Sequence, residues 1–120
     1  MSKVLIIDDS ATEVQQLKAN LEGAGYDTLS ACSGEEGVAV AKSELPDVIL
    51  MDIVMPGLNG FQATRQLRKS AATQKTPVIV VSTKAEETDR IWAMRQGACE
   101  YLVKPIEENA LVLAVGAVIN

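Results

Sequence analysis

An open, doubly wound α/β sheet of five parallel strands, ordered 2-1-3-4-5, is the fold that this 120-residue sequence predicts. Three observations lead to it. Short apolar runs of strand length recur along the chain, segments with helical spacing separate them, and most runs end in a polar residue suited to chemistry. Strands apolar on both faces belong in a parallel sheet covered by helices on each side. Alternating β and α units of this length imply right-handed crossovers.

Val4-Leu5-Ile6-Ile7 is the first run. A helix follows, with Val14, Leu17 and Leu21 on one side and Glu13, Gln16 and Asn20 on the other. Ser10 with Glu13 three residues on marks its start, and Gly23 or Gly25 its stop. A weaker strand runs from Thr28 to Cys32, and Ser33 with Glu36 opens the next helix. Val48-Ile49-Leu50-Met51 forms the third strand, after which Met55-Pro56-Gly57 and Asn59-Gly60 read as turns. Val78-Ile79-Val80-Val81 is the fourth. Thr83 with Glu86 signals the start of the helix that Gly97 ends, with Glu86-Glu87 as favourable first-turn charge. Glu100 to Val103 is the fifth strand, and a last helix runs from about Glu107 towards the C-terminus.

Residues 1–120 are expected to form one domain with no output domain, because the length fits a single core and no linker or repeat interrupts it. Sixteen acids against 11 bases, a formal net charge of -5, argue against direct nucleic-acid binding held by electrostatics. With no apolar run of spanning length and no signal-like start, membrane insertion is not expected and a cytoplasmic location is. Cys32 and Cys99 stand far apart with no histidine in the chain, so neither a zinc site nor a redox pair is encoded; both are expected as small buried hydrophobes. Without histidine, any phosphohistidine donor must be another protein.

The chemistry is expected where strands end. Asp8-Asp9 follow the first run, Asp52 the third, Ser82-Thr83 the fourth and Lys104-Pro105 the fifth. The carboxyl edge of an open parallel sheet is its binding edge, and strand order reverses between strands one and three, so Asp8, Asp9 and Asp52 converge. Each pair of carboxylates at ~5 Å and an effective dielectric of ~20 costs about 3 kcal/mol, so a cation must be present. Oxygen ligands, few in number, with room for water and phosphate oxygens, suit Mg²⁺. Lys104 offers a second positive charge. A metal, a lysine and a hydroxyl around one aspartate form the set needed for phosphoryl transfer to a carboxylate, with Asp52 as nucleophile. Any one of these residues alone is explained as a helix cap or a solvated turn; their recurrence after four of five strands is not.

In these features the sequence resembles the CheY-like receiver family of two-component response regulators, whose fold is flavodoxin-like. The matching residues are Asp8-Asp9, Asp52 with Met55-Pro56-Gly57, Ser82, Tyr101 and Lys104-Pro105. The stretch from Met51 to Arg65, together with Thr88-Asp89-Arg90-Ile91-Trp92, resembles PilH-type regulators of type IV pilus twitching motility. The resemblance implies that Asp52 accepts a phosphoryl group from a histidine kinase, that Asp9, Asp52 and the backbone carbonyl of Val54 hold Mg²⁺ with Asp8 assisting through water, and that Lys104, its direction fixed by a cis peptide to Pro105, pairs with phosphoryl oxygens. It further implies that Ser82 bonds the phosphoryl group and Tyr101 turns inward, reshaping the face made by helix four, strand five and helix five for an output partner. A monomer or weak dimer is expected.

Thr83 departs from the alanine or glycine usual in the family, where a larger side chain would narrow the approach to Asp52. Val54 and Lys84 stand at variable positions flanking the attacking water, and Ile106 replaces a commoner phenylalanine. Trp92 is read either as a partner anchor or as half-buried packing. Competing functions are an aspartyl-phosphate-forming phosphatase, opposed by Val54 where such enzymes carry a second aspartate; a flavin electron carrier, opposed by the acidic first loop; and a degenerate receiver, opposed by the intact acid set and Lys104.

Overall fold

Continuous apolar runs can be satisfied only between two helical layers, and the chain arranges them so. The structure, a computed structural model, describes residues 2–119. The elements are β1 (Lys3–Ile7), α1 (Ala11–Gly23), β2 (Asp27–Ala31), α2 (Gly34–Glu44), β3 (Val48–Met51), α3 (Gly60–Lys69), β4 (Val78–Ser82), α4 (Glu87–Gln96), β5 (Glu100–Val103) and α5 (Glu108–Ile119). All neighbours pair in parallel, in the order β2-β1-β3-β4-β5. The expected fold is therefore the observed one.

Alternate strand residues feed opposite layers, as the two-residue repeat of a strand requires. Leu5, Ile7, Ile49 and Met51 pack with Val38, Ala41, Ala63 and Leu67 of α2 and α3. Val4, Ile6, Val48, Leu50 and Ile79 pack with Leu17, Leu21, Leu111 and Val115 of α1 and α5. A smaller cluster of Ile53, Val80, Ala93, Ala98 and Tyr101 seats α4. Among the described residues no helix is long and apolar enough to cross a membrane.

The helix starts obey the expected caps in two of three cases. The Ser10 side chain accepts the Glu13 amide at 3.4 Å, and the Ser33 side chain accepts the Glu36 amide at 3.1 Å. Neither glutamate returns the bond to its cap residue. Asp8 takes the Ser10 amide at 2.9 Å, and Glu36 takes the Cys32 amide at 2.7 Å. The third expectation, a start at Thr83, is wrong: α4 begins at Glu87 with Glu86 as its cap residue. The intervening residues are held elsewhere, because the Ser82 hydroxyl accepts the Lys84 amide at 3.2 Å and the Lys84 carbonyl accepts the Tyr101 hydroxyl at 2.7 Å.

Three further expectations are corrected. Asn59-Gly60 is not simply a turn. Asn59 forms a reciprocal capping box with Gln62, at 2.9 and 3.0 Å, and Gly60 is the first residue of α3. The second strand is Asp27–Ala31 and not Thr28 to Cys32, since pairing with β1 runs from Lys3↔Asp27 to Ile7↔Ala31 and leaves Cys32 beyond the ladder. Both cysteines are exposed, not buried. Each flanks an edge strand, Cys32 just after β2 and Cys99 just before β5, where only one neighbouring strand gives cover.

Candidate functional site

Register alone brings the acids together. Ile7 lies opposite Met51, so Asp8 and Asp52 leave adjacent strands at one level, and the Asp52 amide donates to the Ile7 carbonyl at 2.9 Å. Ser82 lies opposite Val103, which sets Lys104 beside the end of β4, its amide 2.8 Å from the Ser82 carbonyl. Asp8, Asp9 and Asp52 each offer a carboxylate oxygen, all within 4.8 Å of one another. Asp8 is buried, Asp52 is 9% exposed and Asp9 faces solvent.

The loop from Asp52 to α3 is drawn tight over this cluster. The Gly60 amide donates to the Ile53 carbonyl at 2.9 Å, and a Cβ on Gly60 would lie 2.1 Å from the Asp52 carbonyl oxygen. Only glycine permits that approach. Gly57 has φ +73, the left-handed conformation glycine adopts without strain, and the Glu35 carboxylate secures the turn by accepting the Leu58 amide at 3.1 Å. Val54 projects into solvent, 59% exposed, two residues beyond Asp52.

Lys104 is the cation of the site, and its ammonium faces three carboxylates. Asp8 is at 2.8 Å, Glu13 at 3.4 Å and Asp52 at 3.7 Å. Burial pulls its pKa down, but the Asp8 hydrogen bond and the charges of Asp52, Asp8 and Glu13 outweigh that and raise it, so the ammonium stays charged. Asp52 is pushed up to about 6, first by burial and then by the Asp8 charge; Lys104 and the Ile53 amide oppose this only in part. One lysine therefore does not neutralise the cluster. An oxygen-seeking divalent cation fits the residues present: their donors are carboxylates, and the most exposed, Asp9, has no ion pair among the described residues.

Ser82 is fully buried. Tyr101 is also buried, its ring under the Arg90 guanidinium at 5.5 Å and its hydroxyl on Lys84, so it already occupies the inward position. The Lys104–Pro105 bond is cis, as expected. Thr83 is exposed and lines a cavity of about 210 Å³ with Glu13, Lys104 and Ile106. It borders the lysine side of the site. Trp92 is 49% exposed on α4, so it is not core.

The acids and Lys104 converge as expected, and Glu13 and Gly60 join them unannounced. In the sequence Glu13 reads only as a helix-start marker on the polar side of the first helix, although its place in the first turn after Asp8-Asp9 puts it at the same sheet edge. Gly60 was read as a turn residue, while the Asn59/Gln62 pair that marks the helix start was visible.

This sheet order, with an acid cluster and a lysine at its carboxyl edge, defines a class. Residues 4–116 match the response regulator receiver domain, and the chain belongs to that family. Within it, the chain is 56% identical over 119 residues to protein PilH of Pseudomonas aeruginosa, covering 99% of this chain and 98% of that one. It is 37% identical to the alkaline phosphatase synthesis regulator PhoP of Bacillus subtilis over 94% of this chain, spanning only 48% of that longer protein. Among solved structures, chemotaxis protein CheY4 of Vibrio cholerae superposes with a TM-score of 0.93 at 31% identity, covering 98% of each chain. The chain is thus a receiver-domain signalling protein of the two-component type.

Proposed function

We propose that Asp52 is the phosphoacceptor. The observation that carries this reading is the convergence of Asp8, Asp9, Asp52 and Lys104 at one sheet edge, with Asp52 the acid whose charge is most frustrated. An Asp52 oxygen attacks the phosphorus of a phosphohistidine or acyl phosphate. The bond from phosphorus to the donor breaks, the donor leaves with its electron pair, and an acyl phosphate forms on Asp52. Water later attacks the same phosphorus, releasing inorganic phosphate and the free carboxylate.

Each residue then has a part. Lys104 moves from Asp8 towards the incoming phosphoryl oxygens, a short transfer given its 3.7 Å distance from Asp52. Asp9 and Asp52, with the Val54 carbonyl, would hold Mg²⁺, with Asp8 assisting through water. When bound, the metal neutralises charge on the transferred group. Ser82 exchanges its bond to the Lys84 amide for one to the phosphoryl group, and Tyr101, seated on the Lys84 carbonyl, couples that exchange to the α4–β5–α5 face. Phosphorylation biases two arrangements of this face by its different contacts in each.

The donor is a histidine kinase, in keeping with a chain that has no histidine. The similarity to PilH over nearly its full length supports a single-domain regulator serving a chemotaxis-like pathway that controls twitching motility; a cytoplasmic monomer or weak dimer is part of the same proposal. Incubation with Mg²⁺ and acetyl phosphate tests the core of the proposal. Mass spectrometry is expected to find one acid-labile phosphate on Asp52 and none on Asp52→Asn; an unlabelled wild type, or a labelled variant, refutes it.

A further inference from the structure

Charge is distributed very unevenly along this chain. None of its 16 acids falls between residues 53 and 85, whereas five of its 11 bases do, so a purely basic stretch sits in a protein of net charge -5. Three of those bases, Arg65, Arg68 and Lys69, share one stripe of α3 at helical spacing and line a groove of about 500 Å³ whose other wall is Trp92 and Arg95 of α4. Among the described residues, Lys3, Lys18, Arg90 and Lys104 each have a carboxylate within 4.0 Å, and none of the four groove cations does.

Part of this is local stabilisation. Arg68, Lys69 and Arg95 lie in last helical turns, where cations offset the helix dipole. Arg68 also fastens the following loop by donating to the carbonyls of Gln74 and Thr76. Neither role accounts for Arg65, which stands mid-helix where it repels Arg68 and Lys69, nor for Trp92, which leaves half its surface in water beside them. The buried Nε of Arg68 also lacks an acceptor. Among the described residues, the groove thus presents unpaired cations beside an exposed aromatic ring.

We propose that the α3/α4 groove docks an acidic, amphipathic polypeptide segment of a partner protein, its carboxylates on Arg65, Lys69 and Arg95 and one apolar side chain on Trp92. Arginine forks pair with carboxylates in two-point fashion, and a half-exposed tryptophan flanked by arginine is the composition of an interface anchor. A small phosphate seated deep in the groove would meet the carbonyl ends of both helices, while carboxylates on flexible side chains reach the guanidinium tips from outside. A nucleic acid, charged along its whole length, would run past this short patch, in a protein of net charge -5. The groove lies on the α3 side of α4, away from β5 and α5, and its occupation does not depend on Asp52.

Trp92 is the single tryptophan, so its fluorescence reports directly. The probe is a synthetic Glu/Leu peptide of roughly 15 residues, enough for four helical turns, with its Gln/Leu counterpart as control. Saturable binding of the acidic peptide in low salt is expected, with at least tenfold weaker binding for the control peptide and for Arg65→Glu/Arg95→Glu. Asp52→Asn is expected to bind like wild type, which separates this test from the phosphorylation assay. The absence of saturable binding, equal binding by the charge-reversal variant, or tighter binding to polyuridylate RNA or phosphatidylglycerol vesicles than to the acidic peptide overturns the proposal.

Discussion

Two regions of this protein crowd like charges, and they bear the consequence differently. At the carboxyl edge of the sheet, Asp8 and Asp52 are buried and Asp9 adjoins them, so repulsion and lost hydration fall on protonation, and Asp52 rises to about 6. In the α3/α4 groove Arg65, Lys69 and Arg95 are exposed and keep their water, and their repulsion is weak and screened. Burial, more than charge count, decides which cluster must have its counterion to function. On the readings proposed above, the first takes a small cation as its complement and the second an acidic segment of another protein.

The largest test of that contrast is Asp52→Asn. Labelling by acetyl phosphate is expected to disappear, and the metal-free variant is expected to unfold at higher temperature than wild type at pH 7. The sign follows from the raised pKa. Below 3.8 Asp52 is neutral whether folded or unfolded; as pH rises through about 6 the folded chain must carry a buried charge, and that contribution to stability is lost. A shift of this size corresponds to about 2 to 3 kcal/mol at neutral pH, read as a wild-type melting temperature that falls between pH 4 and 7 while the variant's does not. Added Mg²⁺ is expected to recover wild type and leave Asp52→Asn nearly unchanged.

Lys104→Ala comes next. It leaves Asp8 buried without its partner, which costs about 3 kcal/mol by chemical denaturation, and labelling of Asp52 is expected to slow by roughly a hundredfold through loss of electrostatic stabilisation. Asn59→Ala removes a capping box at the start of α3 and is expected to cost about 1 kcal/mol in the same measurement. Glu13→Gln probes the edge of the buried cluster. Freed from one of three carboxylates, Lys104 is expected to reach the phosphoryl group more readily, so that labelling quickens about twofold, the effect expected of roughly 0.4 kcal/mol for a partly exposed ion pair. An unchanged rate in Glu13→Gln would show that Asp8 alone restrains the lysine.

The fold was legible because burial on both sheet faces writes itself as unbroken apolar runs, and the order of strands follows from short right-handed connections. The acids were legible because polar residues immediately after such runs stand out. Less visible were features whose meaning depends on a distant partner. Thr83 with Glu86 matched a cap pattern, yet Tyr101 from β5 claims the Lys84 carbonyl and delays the helix to Glu87. The cysteines are small and hydrophobic enough for a core, and only their position beside edge strands places them outside. Glu13 supplied the local signal of a capping box while its carboxylate served Lys104, 91 residues further along the chain.

The close approach of Gly60 to the Asp52 carbonyl carries an evolutionary consequence. With one end of the segment 53–59 fixed by β3 and the other pressed onto the backbone of Asp52 itself, both ends of the loop are pinned beside the site, and a substitution at Gly60 would pull the helix start away from it. Between those pinned ends, descendants of this sequence can diversify most cheaply in the side chains the loop offers to water, at Val54 and Pro56 first.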